Sequence, residues 1–264
     1  MIVIRNCSGF DELEACVQLQ VETWGYDESD VIPRKAFLIG QKIGGQVIGA
    51  FDTDLPGSAP NGSPESLVGF AMSLPGAKPG IVEPQPYLHS HMLAVRDSHR
   101  NRGIGAQLKL QQRLEAISRK FRLMEWTFDP LEIKNAYLNI HKLGAIVRCY
   151  YVNFYGVSSS RLQGGLPTDR LVAEWRISSP RVTAILEGRP RASFSIEESI
   201  SVPASIHEWK ASKVDRERAE QVQLENRRNF QNAFSRGLAV LGFKRDAEGN
   251  GVFELGSPTQ AEMD

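Results

Sequence analysis

The chain has 264 residues, 41% of them hydrophobic and 23% charged, the proportions of a globular protein long enough for one large domain or two smaller ones. Lys and Arg together number 31, and so do Asp and Glu, so the basic excess that marks a nucleic-acid or polybasic-membrane role is missing. No apolar run approaches the roughly 20 residues of a bilayer span, and Met1-Ile2-Val3-Ile4-Arg5-Asn6-Cys7 turns polar too early for a signal-peptide core.

Cys7, Cys16 and Cys149 are too few for a disulfide framework, and no C-x-x-C pair suggests zinc. A reduced, cytoplasmic protein without a metal is expected. Neither a nucleic-acid nor a membrane partner is expected, and a homodimer is left open.

Residues 2–6 read as a short strand. From Gly9 to Trp24, the apolar residues Phe10, Leu13, Val17, Leu19 and Trp24 mostly fit helical spacing, and Pro33 opens a second short helix through Ala36 and Phe37. Residues 46–53 and 67–73 read as two strands. The stretch between them, Asp54 to Ser66, is rich in Pro, Gly, Ser and Asn and predicts a long loop. Residues 87–95 form a strand that feeds a basic, glycine-containing turn.

The helix after Gly103 is expected to carry Ile104, Leu110, Leu114, Ile117 and Phe121 on its inner side. Residues 123–128 are the next strand. Asp129 reads as a helix N-cap, with Pro130 at the first helical position and Glu132 three residues on. Ile133, Ala136, Ile140 and Leu143 would face inward, and Gly144 would stop the helix. Residues 146–155 and 170–177 are two further strands. The order β-α-α-β-β-β-α-β-α-β-β predicts an α/β (α+β) fold, a mixed, mostly antiparallel sheet flanked by helices.

Ser178-Ser179-Pro180 breaks the composition and divides the chain into residues 1–178 and 179–264, with a further hinge at Gly188-Arg189-Pro190. Beyond it, Ala192 to Ser201 alternates like a strand. A helix runs from the Ser212/Asp215 signal to Arg236, with Ala219, Val222, Asn226, Phe230, Ala233 and Phe234 on one face. Leu238–Phe243 and Val252–Leu255 complete a hairpin. This β-α-β-β extension is small for an independent core and is expected to pack on the first domain.

The densest chemical signal is Leu93-Ala94-Val95-Arg96-Asp97-Ser98-His99-Arg100-Asn101-Arg102-Gly103-Ile104-Gly105-Ala106. A strand end, a basic turn and a helix start build an anion site, because the first amides of a helix lack internal partners and sit at the positive end of its dipole. Gly103 and Gly105 let a ligand approach the backbone, and Arg100 and Arg102 add charge. On the glycines alone, a plain strand-to-helix turn with solvated arginines fits as well. A dinucleotide fingerprint would need glycine where Leu108 stands, and a P-loop would need Lys after Gly105, where Ala106 stands.

The segment resembles the GNAT superfamily of acyl-CoA N-acyltransferases. The first signature, [RQ]-x-x-G-x-[GA], is Arg100-Asn101-Arg102-Gly103-Ile104-Gly105. The second is a later helix bearing an Asn and ending in Gly, here Asn135 through Gly144. The resemblance covers roughly residues 1–178. It implies an enzyme with acetyl-CoA or another acyl-CoA as co-substrate. The cofactor would be held by the backbone of Leu93, Ala94 and Val95, paired to pantetheine like an added strand. Arg100, Arg102, Gly103, Ile104, Gly105 and Ala106 would hold its pyrophosphate, and Asn135 its pantetheine arm. The acceptor is expected to be the amine of a small molecule. A non-catalytic acyl-CoA sensor, with the extension as its interaction surface, is the alternative. An acyl transfer to a hydroxyl, or a thioester decarboxylation, also keeps the cofactor.

Amine acylation needs a deprotonated acceptor, so a base is sought on the strand before the turn. His89 and His91 lie two apart and share a face of a regular strand. In some GNAT members a Glu is the base, and its position is held here by His89. A half-buried strand histidine bonded to backbone is the plainer reading of either, and Glu83 is an outside candidate. Many members place a Tyr where Ile140 stands, which puts thiolate protonation in doubt. Tyr137, one turn earlier, is the substitute considered, with Tyr150, Tyr151 and Tyr155 on the following strand. Aromatic packing is the plainer reading of all four, and Cys149 reads better as a buried strand residue than as an acyl carrier.

Overall fold

Where apolar residues recur every second position the chain forms strands, and where they recur every third or fourth it forms helices. The protein is described by a computed structural model covering residues 1–79, 83–191 and 193–259, and it divides into two compact units, residues 1–124 and 125–264.

In the first unit, β1 (Ile2–Asn6), β2 (Gln46–Asp52), β3 (Leu67–Lys78) and β4 (Gln85–Val95) pair in sequence order, each antiparallel to its neighbour. Every residue of β2 is buried, so both faces of the sheet are covered. On one face α1 (Gly9–Trp24) and α2 (Arg34–Lys42) bring Leu13, Cys16, Leu19 and Phe37 against Phe51, Phe70, Met72 and Met92. On the other, α3 (Ile104–Ser118) packs Ile104 and Leu108 on Ile48, Ala50, Val68 and Ala71. Gly69 sits beneath α3, and a Cβ there would lie 3.0 Å from the Ala94 carbonyl oxygen and 3.4 Å from Ile104 and Leu108.

The face of α3 differs from the expected one. Leu114 is 58% exposed and Ile117 37%, whereas Ile104, Leu108, Lys109, Gln112 and Ala116 are buried. Residues four apart lie nearly in line on a helix, so 104, 108, 112 and 116 make one stripe. Its polar member Gln112 and the neighbouring Lys109 are bonded to groups on the sheet, a compensation that apolar periodicity does not show.

In the second unit the strand order is β5 (Leu123–Phe128), β7 (Arg170–Arg176), β6 (Ile146–Tyr151), β9 (Ala239–Arg245), β10 (Gly251–Gly256) and β8 (Glu198–Val202). Val147 pairs with Val240, so the C-terminal strands continue the sheet from the edge of β6. The extension thus shares backbone hydrogen bonding with the strands before it. Phe230 of α7 (Arg216–Ser235) stacks on Tyr150 at 5.8 Å between ring centres and meets Phe253 edge-on at 5.1 Å.

Three local expectations are corrected. Asp129 does not cap a helix. Its Oδ1 accepts from the Leu131 amide at 2.8 Å, and α4 (Ile133–Ala136) begins only after Glu132, then runs into a π-helical turn, Tyr137–Lys142. The inward positions Ile133, Ala136, Ile140 and Leu143 are all buried, and Gly144 ends the turn with φ +79°. The Ser178–Pro180 break is a helix start, where Ser179 Oγ accepts from the Val182 amide and Pro180 opens α5 (Pro180–Leu186). The strand expected from Ala192 begins at Glu198. Residue 192 lies outside the described residues, and 193–197 are not strand. With α6 (Ile206–Ala211) added, the extension reads α-β-α-α-β-β.

Candidate functional site

Strand β4 leads into the turn. Leu93, Ala94 and Val95 face Ala71, Phe70 and Gly69 of β3, and Ala94 is buried. The Arg96 amide donates to the Val68 carbonyl at 2.8 Å, the last tie before a short turn, Asp97–His99. His99 fixes that turn to β2. Its Nε2 lies 3.0 Å from Asp52 Oδ2, and its Nδ1 lies 2.8 Å from Ser98 Oγ. The His99 hydrogen bond is the largest cause holding the Asp52 carboxyl down, to about 2.

Arg100 and Arg102 differ. Arg100 braces the turn, with Nε donating to the Val95 carbonyl at 3.2 Å and Nη2 reaching Asp97 Oδ1 at 2.7 Å. Arg102 is exposed, and Asn101 precedes it in the left-handed region at φ +61°. Gly103 is the N-cap of α3 at φ +79° and ψ 0°, a conformation that favours glycine. No side chain caps this helix start, and no acidic residue stands in its first turn. Ile104 is buried and anchors the helix, Gly105 and Ala106 are half-buried, and Gln107 is exposed. The result is an open, uncapped helix N-terminus with an exposed guanidinium beside it.

His89 and His91 are brought together on β4, with ring centres 5.8 Å apart. Burial, then the charges of His91 and Lys109, push His89 down to about 4, and burial lowers His91. Both imidazoles are therefore neutral at pH 7. The ladder is irregular here. Met72 pairs with Met92 but Leu74 with His89, so β4 carries one residue more than β3 across this step. Glu83, the outside candidate, is exposed at the approach to β4.

In the second unit, Asn135 is exposed in the short α4. Tyr137 stacks on His141 at 4.5 Å with Lys142 Nζ 5.7 Å from its ring centre, so its ring is held by packing within the π turn. His141 Nδ1 lies 3.2 Å from the Phe243 carbonyl. Tyr150 is not a free acid: its hydroxyl donates to Asp169 at 2.6 Å, and burial with that carboxylate raises its pKa. Tyr151, Phe154 and Tyr155 form an exposed stack, and Cys149 is half-buried.

Two ion-pair clusters were invisible in the sequence. Lys210, 3% exposed on α6, donates to Asp129 Oδ2 at 2.8 Å and Glu132 Oε1 at 3.0 Å. Arg227 on α7 holds Asp169. Gln223 on the same helix donates to the Pro167 carbonyl at 2.9 Å. The runs Phe128–Leu131 and Gly165–Leu171 are thus gripped by the extension. Among the described residues, no group of three His, Cys, Asp or Glu side chains could hold a metal, and no helix is long and apolar enough to cross a membrane.

No protein-family model matches the sequence, and no curated protein does. Solved structures do match. Arabidopsis thaliana NAA60 in complex with acetyl-CoA aligns with a TM-score of 0.53 at 16% identity, over 66% of this chain and 98% of that one. The chain has the GNAT fold. An aminoglycoside 6'-acetyltransferase type Ii aligns with a TM-score of 0.48 at 20% identity, over 66% of this chain and 97% of that one. A GNAT family acetyltransferase from Elizabethkingia anophelis with acetyl-CoA bound aligns with a TM-score of 0.44 at 16% identity, over 66% and 97%. At such identities the likeness is one of fold. Of the two segments that resemble GNAT signatures, the first lies at the open turn at Gly103, and the second spans α4 and the π turn, where Ile140 is wholly buried.

Proposed function

We propose that the chain transfers a short acyl group, acetyl first, from CoA to the amine of a small-molecule acceptor. The observation that carries this reading is the turn after β4, where a left-handed Gly103, an uncapped helix start and an exposed Arg102 stand together on a GNAT fold. A pyrophosphate suits that turn, because free amides and the helix dipole both favour an anion. Gly103, Ile104, Gly105 and Ala106 would hold it through backbone, with Arg102 as counter-charge and Arg100 as the brace that shapes the turn. Leu93, Ala94 and Val95 would pair with the pantetheine amides, and Asn135 would contact the same arm. Residues 1–178 are proposed as the acyl-CoA-binding module, and residues 179–264 as an extension that steadies it. The compartment proposed is the cytoplasm.

In the reaction the acceptor nitrogen forms a C–N bond to the acyl carbon, and the C–S bond of the thioester breaks. The attacking nitrogen becomes acidic as its lone pair is committed. A neutral His89 is then basic enough to take that proton, whereas it could not strip a free ammonium. His91 is its neighbour and relay candidate, and Tyr137 is the candidate that returns a proton to the sulfur. The test is calorimetric titration with acetyl-CoA, followed by free-thiol release across a panel of amines. Binding with thiol release dependent on one acceptor supports the enzyme. Binding without release from any amine supports the second reading, an acyl-CoA sensor, which the buried Ile140 at the usual Tyr position favours. No binding refutes both.

A further inference from the structure

Below Leu108 the buried face of α3 turns partly polar. Lys109 is 2% exposed, and its Nζ donates to Ser90 Oγ at 2.7 Å. Ser90 Oγ donates to Gln112 Oε1 at 2.9 Å. The Gln112 carbonyl accepts from Gln46 Nε2 at 3.0 Å, and Gln46 Oε1 accepts from Ser73 Oγ at 2.8 Å. One polar chain therefore runs from β2 and β3 through α3 to β4, inside a helix–sheet contact that apolar residues could fill without desolvating an amine or amides.

The chain ends where β4 is irregular. Ser90 and His91 together oppose Ser73, between the pairs Met72–Met92 and Leu74–His89. A bulge removes a residue from the ladder and re-aims its neighbours, so the ladder alone does not hold this segment. The Ser90 side chain ties this segment to α3, the helix whose start is the turn at Gly103.

We propose that Ser90 and Lys109 are positioning residues for acyl transfer, tying the bulged segment of β4 to α3 and so setting where His89 and His91 stand relative to the Gly103 turn. The proposal rests on reading that turn as the acyl-CoA site and His89 as the base. The ties run through Lys109 Nζ, Ser90 Oγ and Gln112 Oε1, while Gln112 Nε2 is buried without a hydrogen-bond partner, so they rest on the Lys109–Ser90 and Ser90–Gln112 bonds.

The test uses the full chain with Ser90→Ala, Lys109→Met and the conservative Ser90→Thr. Three quantities are read: acetyl-CoA affinity by calorimetry, kcat for thiol release with the amine found active in the wild type, and the imidazole carbon–proton NMR signals of His89 and His91. Ser90→Ala and Lys109→Met should leave affinity within about twofold, lower kcat about tenfold or more, and shift both imidazole signals, since small misplacements of reacting groups cost rate more than binding. Ser90→Thr, which keeps the hydroxyl, should recover part of the loss. Unchanged kcat and unmoved imidazole signals, with only a lower melting temperature, would overturn the proposal and leave the chain as packing. If Ser90→Ala does not fold, Lys109→Met and Ser90→Thr decide by the same readouts. Failure of the wild type to bind acetyl-CoA would refute the acyl-CoA reading itself. The imidazole signals would then still decide whether Ser90 and Lys109 set the histidines.

Discussion

Arg227, on the last helix of the chain, grips the fully buried carboxylate of Asp169 with two hydrogen bonds, Nε to Oδ2 at 2.8 Å and Nη2 to Oδ1 at 3.1 Å. The same carboxylate accepts from the Tyr150 hydroxyl at 2.6 Å and the Asn153 amide at 2.9 Å. One buried charge thus collects β6, the segment after it and α7. Arg227→Ala leaves that charge without its cation and should cost about 3–5 kcal/mol in urea unfolding of the whole chain. Arg227→Lys should recover only part, because an ammonium does not make the two-pronged contact.

Lys210 should behave similarly at the other grip. Its ammonium is buried against Asp129 and Glu132, with side-chain exposures of 4%, 9% and 19% in that order. Lys210→Met should destabilise by more than about 2 kcal/mol. Glu132→Gln should cost less than about 1 kcal/mol, since Glu132 is the most exposed of the three and Asp129 still pairs the cation. Denaturant midpoints of both variants check this order.

Arg102→Glu should weaken acetyl-CoA binding at least about tenfold by calorimetry, because it sets a negative charge beside the diphosphate. The loss should shrink at high salt. Arg100→Ala should change affinity less, since Arg100 is already paired with Asp97. Equal losses in the two variants would contradict the distinction between brace and counter-charge.

His89→Ala should lower turnover about 100-fold while acetyl-CoA affinity stays within twofold, as expected of a proton acceptor that does not touch the phosphates. With His89 lowered to about 4, the wild-type rate should not lose its acidic limb at the ordinary histidine pKa of 6.5. A limb centred at 6.5 that vanishes in His89→Ala would show that burial does not hold this imidazole neutral.

Stability should fall on acidification. His89 is held down to about 4 from 6.5 by burial, so between those values the unfolded chain binds more protons than the folded one. Stability therefore rises with pH across that window and is lost as pH drops from 6.5 towards 4. His91 and Lys109, both lowered by burial, act with the same sign. Thermal unfolding at pH 7, 6, 5 and 4 should show this slope, and His89→Gln should flatten it.

The order of elements through β7 was legible in the sequence, because strand and helix periods, the helix start at Gly103 and the stop at Gly144 are local. The helix at Ser179-Pro180 carries its own cap signal, but a Ser-Ser-Pro run also reads as a linker. The geometry of the turn was legible too, since a strand end, a left-handed glycine and a helix start are neighbours along the chain.

What the sequence by itself determined is thus the order of elements through β7 and the glycine and charge pattern of the Arg100–Ala106 turn, both products of neighbouring residues. Tertiary structure alone decided which face of α3 is inside, that Lys109 and Ser90 meet under the β4 bulge, and that Asp129 pairs with Lys210 and Asp169 with Arg227. Those partners lie 81 and 58 residues apart. A buried charge is tolerated only where the fold brings its counter-charge to it, and no local pattern records that meeting.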